Sequence, residues 1–164
     1  MDFKKILVAV DGSENSARAV SYTGDMVGDG SAKQIMLLCI ERFPDRDLFP
    51  DEEAWKKRCS EHREELQQFL GEARATLTAK GVHDNRISER YVVSCSSPFA
   101  DRSTARCSFG TSIAQEILAV LKEERFGTVV VGRRGVSKAE EFLFGSVSNK
   151  IIHHAKDCTV WVVA

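Results

Sequence analysis

Three prolines and eleven glycines in 164 residues are too few for a collagen-like or low-complexity chain. Charge of one sign is missing as well: 23 lysines and arginines face 24 aspartates and glutamates, a formal charge of −1. That balance argues against a generic binder of nucleic acid or of an anionic membrane, because both depend on a basic surplus. It leaves room for one local anion site. No run approaches the roughly 18 consecutive apolar residues of a membrane-spanning helix. The apolar stretch from Ile6 to Val10 is too short for a signal-peptide core, and no small-residue cleavage site follows it. The five cysteines (Cys39, Cys59, Cys95, Cys107 and Cys158) are odd in number and form neither a C-x-x-C pair nor a zinc-ligand spacing. Reduced thiols in a cytoplasm are the simplest reading. Cys95 and Cys107 flank one loop and are the pair that oxidation would join.

What is present reads as an ordinary globular chain, 43% hydrophobic and 29% charged. At this length one domain, 1–164, is expected, burying roughly two thirds of the unfolded chain's surface. Lys4 to Val10 is a short apolar strand, and Asp11-Gly12-Ser13 turns it into a helix that Ser13 caps. Ala17, Val20, Met26 and Val27 mark that helix's apolar face, and Gly28 ends it. Gln34 to Ile40 is a second buried strand, and 42–52, with Pro44 and Pro50, is a polar loop. A long helix follows, carrying Trp55, Cys59, Leu66, Phe69, Leu70, Ala73 and Leu77 at helical spacing up to Gly81.

Arg86 to Val93 alternates as a third strand nearer a sheet edge, and 94–109 forms a long loop without period. Ser112 opens a helix, Thr128 to Val131 is a fourth strand, Ser146 to Ala155 a fourth helix, and Thr159 to Val163 the last strand. Continuous apolar strands alternating with helices predict an open five-stranded parallel sheet, strand order 3-2-1-4-5, with helices on both faces. In such a doubly wound α/β fold, ligands sit at the carboxyl ends of the strands where the winding reverses. Asp11-Gly12-Ser13 after the first strand and Gly132-Arg133-Arg134-Gly135 after the fourth meet there. Nine residues beyond Gly135 comes Gly145-Ser146 at a helix start, where free N–H groups and the helix dipole favour phosphate. Ser146 and Ser148 add hydroxyls.

The pattern Gly132-x2-Gly135-x9-Gly145-Ser146 resembles the nucleotide-binding signature G-x2-G-x9-G-(S/T) of the universal stress protein family. KKILVAVDGSENSARAV resembles that family's opening strand and helix, MLLCIE its second strand, and the stretch from VVVGRRG to TVWVV its closing third. The resemblance implies the adenine nucleotide alpha hydrolase-like form of the fold, and ATP as ligand. Carried over by position, Ala9, Val10 and Asp11 stand beside the nucleoside, and the backbone of Ile40 faces adenine. Val131 and Gly132 form the floor, while Gly135, Gly145, Ser146, Val147 and Ser148 cradle the triphosphate. Magnesium would be carried by the phosphates rather than by a protein cage. The resemblance also implies a homodimer through the C-terminal edge strand, while the charge balance and the lack of a long apolar run predict no nucleic-acid or membrane partner.

Two features depart from the family. Arg133-Arg134 stands where Ser-His or Ser-Arg is more usual. These guanidinium groups either donate to phosphate or turn outward to solvent, Glu140 or Glu141. The loop 94–109 is longer than usual, and its Arg102 and Arg106 are candidates for contact with a nucleotide or a second subunit. Several residues also have plainer readings. The glycines can be turn residues, Asp11 a helix cap, and His153-His154 a complement to the helix dipole rather than a metal pair. G-x-S-x-G, the Walker motif and G-x-G-x-x-G are absent, and no general base stands in motif position. An ATP-binding regulatory module in a stress response is therefore expected. A slow ATPase and a dimeric interaction protein without obligatory nucleotide are the alternatives.

Overall fold

A computed structural model describes residues 1–28, 32–93, 97–99, 112–133 and 145–164. The elements are β1 (Asp2–Val10), α1 (Glu14–Val27), β2 (Gln34–Ile40), α2 (Glu52–Ala79), β3 (Ile87–Val92), α3 (Ile113–Glu123), β4 (Phe126–Gly132), α4 (Ser146–His154) and β5 (Thr159–Val163). All five strands pair in parallel, in the order β3-β2-β1-β4-β5. The expected sheet is the observed one. β1 sits at the reversal, with β2 on one flank and β4 on the other.

Period-two alternation along β1 divides the interior into two cores. Ile6, Val8 and Val10 face α1 and α2, joining Val20, Leu66, Leu70 and Leu77. Leu7 and the half-buried Ala9 face the opposite layer, with Ile117, Leu121, Val129 and Ile151. The interior strand β4 is buried along nearly its whole length, as its unbroken apolar run requires.

The apolar face expected on α1 is corrected in part. Its buried residues are Ser16, Ala19, Val20, Thr23, Gly24 and Val27, whereas Ala17 and Met26 are exposed. Two hydroxyls disguise this stripe in the sequence. Thr23 Oγ1 donates to the Ala19 carbonyl (2.7 Å), and Ser16 Oγ is engaged by Asp11, so both can be buried without penalty.

α2 contains 28 residues, so it is about 42 Å long, nearly twice the span of a seven-residue strand at about 23 Å. Leu66, Leu70, Ala73 and Leu77 cover the sheet, and the preceding turns overhang its carboxyl edge. The region 42–52 is tighter than a plain polar loop, with a 3₁₀ turn at Arg46–Leu48 and Asp51 capping α2. Of the long loop 94–109, only 97–99 fall among the described residues. Cys95, Arg102, Arg106 and Cys107 lie outside them.

Candidate functional site

The turn after β1 is organised by a carboxylate. Asp11 Oδ1 accepts from Ser13 N (3.1 Å), Ser13 Oγ (2.6 Å) and Ser16 Oγ (2.6 Å). Asp11 N in turn donates to Ser16 Oγ (3.0 Å), and Ser13 Oγ accepts from Ser16 N to cap α1. Gly12 takes φ +78°, the left-handed conformation that glycine adopts without strain. The cap of α1 is thus Ser13, and Asp11 braces it from the strand end through Ser13 and Ser16.

Across the reversal, β4 ends at Gly132, packed against the first turn of α1. A Cβ built there would lie 2.8 Å from Asn15 Cβ and 2.9 Å from its carbonyl carbon. Arg133 N donates to the Val163 carbonyl (2.6 Å), while the Arg133 carbonyl accepts from Gly145 N (2.8 Å) and Ser148 Oγ (2.7 Å). Gly145 caps α4, whose first turn holds no acidic residue. The first intrahelical bond there is Asn149 N to Gly145 O (3.0 Å), so the N–H groups of Ser146, Val147 and Ser148 precede the ladder.

Between these two turns lies a cavity of about 780 Å³. This is within the roughly 300–1,000 Å³ typical of small-molecule sites. Ala9, Val10, Asp11, Ile40, Val131 and Gly132 line it from the strand ends, and Gly145, Ser146, Val147 and Ser148 from α4. Arg133 is not part of the lining, and its buried Nε has no hydrogen-bond partner among the described residues. Arg134 and Gly135 lie outside the described residues. Ser148 differs from expectation in one respect. Its hydroxyl is buried and already donates to the Arg133 and Gly145 carbonyls, leaving Ser146 as the exposed hydroxyl of the turn.

A further wall comes from the overhang of α2, where Arg58, His62 and Leu66 recur every four residues toward the cavity. Arg42, Phe43 and Pro44 continue this wall. The Trp55 indole Nε1 donates to the Pro44 carbonyl (3.0 Å), holding the segment against α2. Glu65 accepts both terminal nitrogens of Arg58 (3.1 and 3.2 Å) and lies 3.4 Å from His62 Nδ1. The Arg58 guanidinium holds the Glu65 carboxyl below its ordinary range. The four-residue spacing of Arg58, His62 and Leu66 was visible in the sequence. That this part of the helix outruns the sheet was not.

The side chain of Glu41, next to Ile40, is fully buried. It accepts from Tyr91 OH (2.6 Å), and Arg63 Nε lies 3.9 Å away. The Arg63 guanidinium stands over the rings of Tyr91 (5.8 Å) and Phe99 (5.6 Å), tying the overhang to β3 and to residue 99. Burial, followed by the Glu41 hydrogen bond, raises the Tyr91 phenol pKa. Burial, with Asp11 and Glu41 nearby, pushes the Cys39 thiol up to about 12.

The model of the universal stress protein family matches residues 2–164. Universal stress protein YxiE of Bacillus subtilis (strain 168) is 27% identical, the match covering 98% of this chain and 99% of that protein. Among solved structures, the hypothetical protein MJ0577 superposes with a TM-score of 0.72 at 21% identity, covering 99% of this chain and 96% of its own. A universal stress protein in complex with cAMP gives 0.62 at 22%, covering 99% and 98%. The Archaeoglobus fulgidus universal stress protein in complex with dAMP gives 0.62 at 16%, covering all of both chains. These structural likenesses concern the fold, whereas the family match runs through the sequence almost end to end. The chain belongs to the universal stress protein family.

Proposed function

We propose that this protein is an adenine-nucleotide-binding regulatory module of the stress response, working in the cytoplasm, with ATP as its ligand. The observation that carries the reading is the cavity itself. It joins apolar strand ends, suited to a base and sugar, to the acid-free first turn of α4, suited to phosphate. Two proteins of this fold have been solved in complex with cAMP and dAMP, which share adenine, a sugar and one phosphate. In this reading Ala9, Val10, Asp11, Ile40, Val131 and Gly132 hold the nucleoside. Gly145, Ser146, Val147 and the backbone of Ser148 hold the phosphates, with Gly135 completing the cradle. Arg133 and Arg134 remain candidates for the outer phosphates.

Magnesium fits this arrangement as a passenger on the phosphates. Among the described residues no group of three or more His, Cys, Asp or Glu is placed to hold a metal, and Asp11 is engaged by Ser13 and Ser16 at the start of α1. That occupation also favours binding and signalling over turnover, since Asp11 is the carboxylate at the nucleoside end. The test is calorimetry with ATP and magnesium, cAMP and AMP on the wild type and on Gly145→Val. Gly145 has φ −66°, which any residue adopts, so valine probes the space beside the phosphates rather than the backbone. Binding by the wild type and its loss in a folded variant are expected. No heat with any of the three at millimolar concentration overturns the reading.

Homodimerisation through β5 belongs to the same proposal. β5 is a sheet edge, and its Trp161 meets Tyr22 of α1 edge-on with ring centroids 5.9 Å apart. Light scattering at micromolar concentration, with Trp161→Lys as the disruptive variant, distinguishes dimer from monomer.

A further inference from the structure

We infer that His62 selects the nucleobase, its Nε2 accepting a hydrogen bond from the exocyclic amine of a 6-aminopurine. The inference rests on the nucleotide-binding reading and adds to it a side chain that discriminates between purines.

The cavity runs from the first turn of α4 to the overhang of α2. A nucleotide with its phosphates at α4 therefore directs its base toward the opposite wall. Ile40, Phe43 and Leu66 offer apolar surface there to the flat faces of a purine, and His62 stands beside them on α2 with a quarter of its side chain exposed. Contact with the faces does not identify a base, and a side chain at its edge adds discrimination to whatever the backbone of Ile40 supplies. Identity is read at its edge, where adenine presents an amine and guanine or hypoxanthine an oxo group.

The imidazole is prepared for that distinction. Its Nδ1 lies 3.4 Å from Glu65 Oε2, and both Glu65 oxygens are taken by the Arg58 fork. A carboxylate gripped by a guanidinium stays ionised, so the neutral ring carries its proton on Nδ1 and its lone pair on Nε2. With Nδ1 turned to Glu65, Nε2 is the ring nitrogen left to meet a ligand. An acceptor so placed pairs with an amine and opposes an oxo group. Arg58 and Glu65 serve as positioning residues, fixing the tautomer through contacts within one helix face.

ATP and ITP make the decisive pair, since they differ only at purine position 6 and the adjoining ring proton. In calorimetry the wild type is expected to bind ATP about tenfold or more tightly than ITP, the discrimination of one edge contact. In His62→Ala the two affinities should converge to within about twofold, through weaker ATP binding and ITP binding that is no weaker than in the wild type. Alanine suits an exposed helix position, and circular dichroism verifies that the fold is retained. Glu65→Gln, which loosens the ring without removing it, should show an intermediate ratio. It should also shift the ¹⁵N resonances of His62 toward the other tautomer. Adding ATP to the wild type should move the Nε2 resonance, whereas ITP should not. Equal wild-type affinities, or an unchanged ratio in His62→Ala, would overturn the inference while leaving nucleotide binding intact. A wild type that binds neither nucleotide overturns both.

Discussion

The indole of Trp55 donates to the carbonyl of Pro44 at 3.0 Å, fastening the chain after β2 to the first turn of α2. The bond closes one side of the cavity with residues distant from either glycine turn. Trp55→Phe keeps the ring and removes the donor. Stability should fall by about 1 kcal/mol in urea denaturation, as for one ordinary hydrogen bond. Nucleotide affinity should fall several-fold by calorimetry, because Arg42 and Phe43 lose their anchor.

Two glycines predict opposite responses to one methyl group. Gly132→Ala places a Cβ within 3 Å of the Asn15 backbone, which cannot withdraw while Asp11, Ser13 and Ser16 hold the start of α1. A loss of about 1–3 kcal/mol is expected. Gly71→Ala, in the interior of α2 with nothing within 4 Å, should stabilise by about 0.5–1 kcal/mol through helix propensity. Thermal melts of the two variants should move in opposite directions.

Tyr91→Phe removes a 2.6 Å donor from the buried Glu41 side chain. A hydrogen bond to a charged group contributes about 1.5–3 kcal/mol, and the loss should register as a lower denaturation midpoint with an unchanged slope. Glu41 lies between Ile40 and Arg42, both in the cavity wall, so ligand affinity should decline with it.

Cys39 predicts an alkaline limb in stability. The unfolded thiol ionises near its ordinary value of 9.0, whereas burial keeps the native thiol protonated to about 12. Between those values the unfolded state has released a proton that the folded state retains, so stability falls as pH rises. The slope reaches at most about 1.4 kcal/mol per pH unit from this group. Below pH 9 the thiol contributes no dependence. Cys39→Ala should flatten the limb in denaturation series from pH 8 to 11, leaving the part due to Tyr91, whose pKa is shifted in the same direction.

The strands were the most legible part of the fold. β2 and β5 end where their apolar runs end, because continuous apolar sequence has few other solutions between two helical layers. β1 and β4 extend further than their apolar runs suggested. Asp2 pairs opposite Phe126 across a register shift, and backbone pairing needs no hydrophobic side chain. The face of α1 was hidden because Ser16 and Thr23 are buried through hydrogen bonds rather than apolarity. In the cavity, the glycine spacing identified the strand ends and α4, features set by local chain geometry. Arg58 and His62 escaped because their place depends on how far α2 outruns the sheet. That is a tertiary fact which no local pattern contains.

The sheet separates two hydrophobic cores that share no side chain across it. At the cavity both layers reach a single space. Val10 and Leu66 come from one core, and Ile40, Ile117 and Val131 from the other. A molecule seated there acts as a fastener across the open rim, touching both halves of the interior at once. Occupancy should therefore make the two layers melt as one unit and raise the temperature at which either comes loose. The ligand would then also be a heat protectant of the fold that holds it.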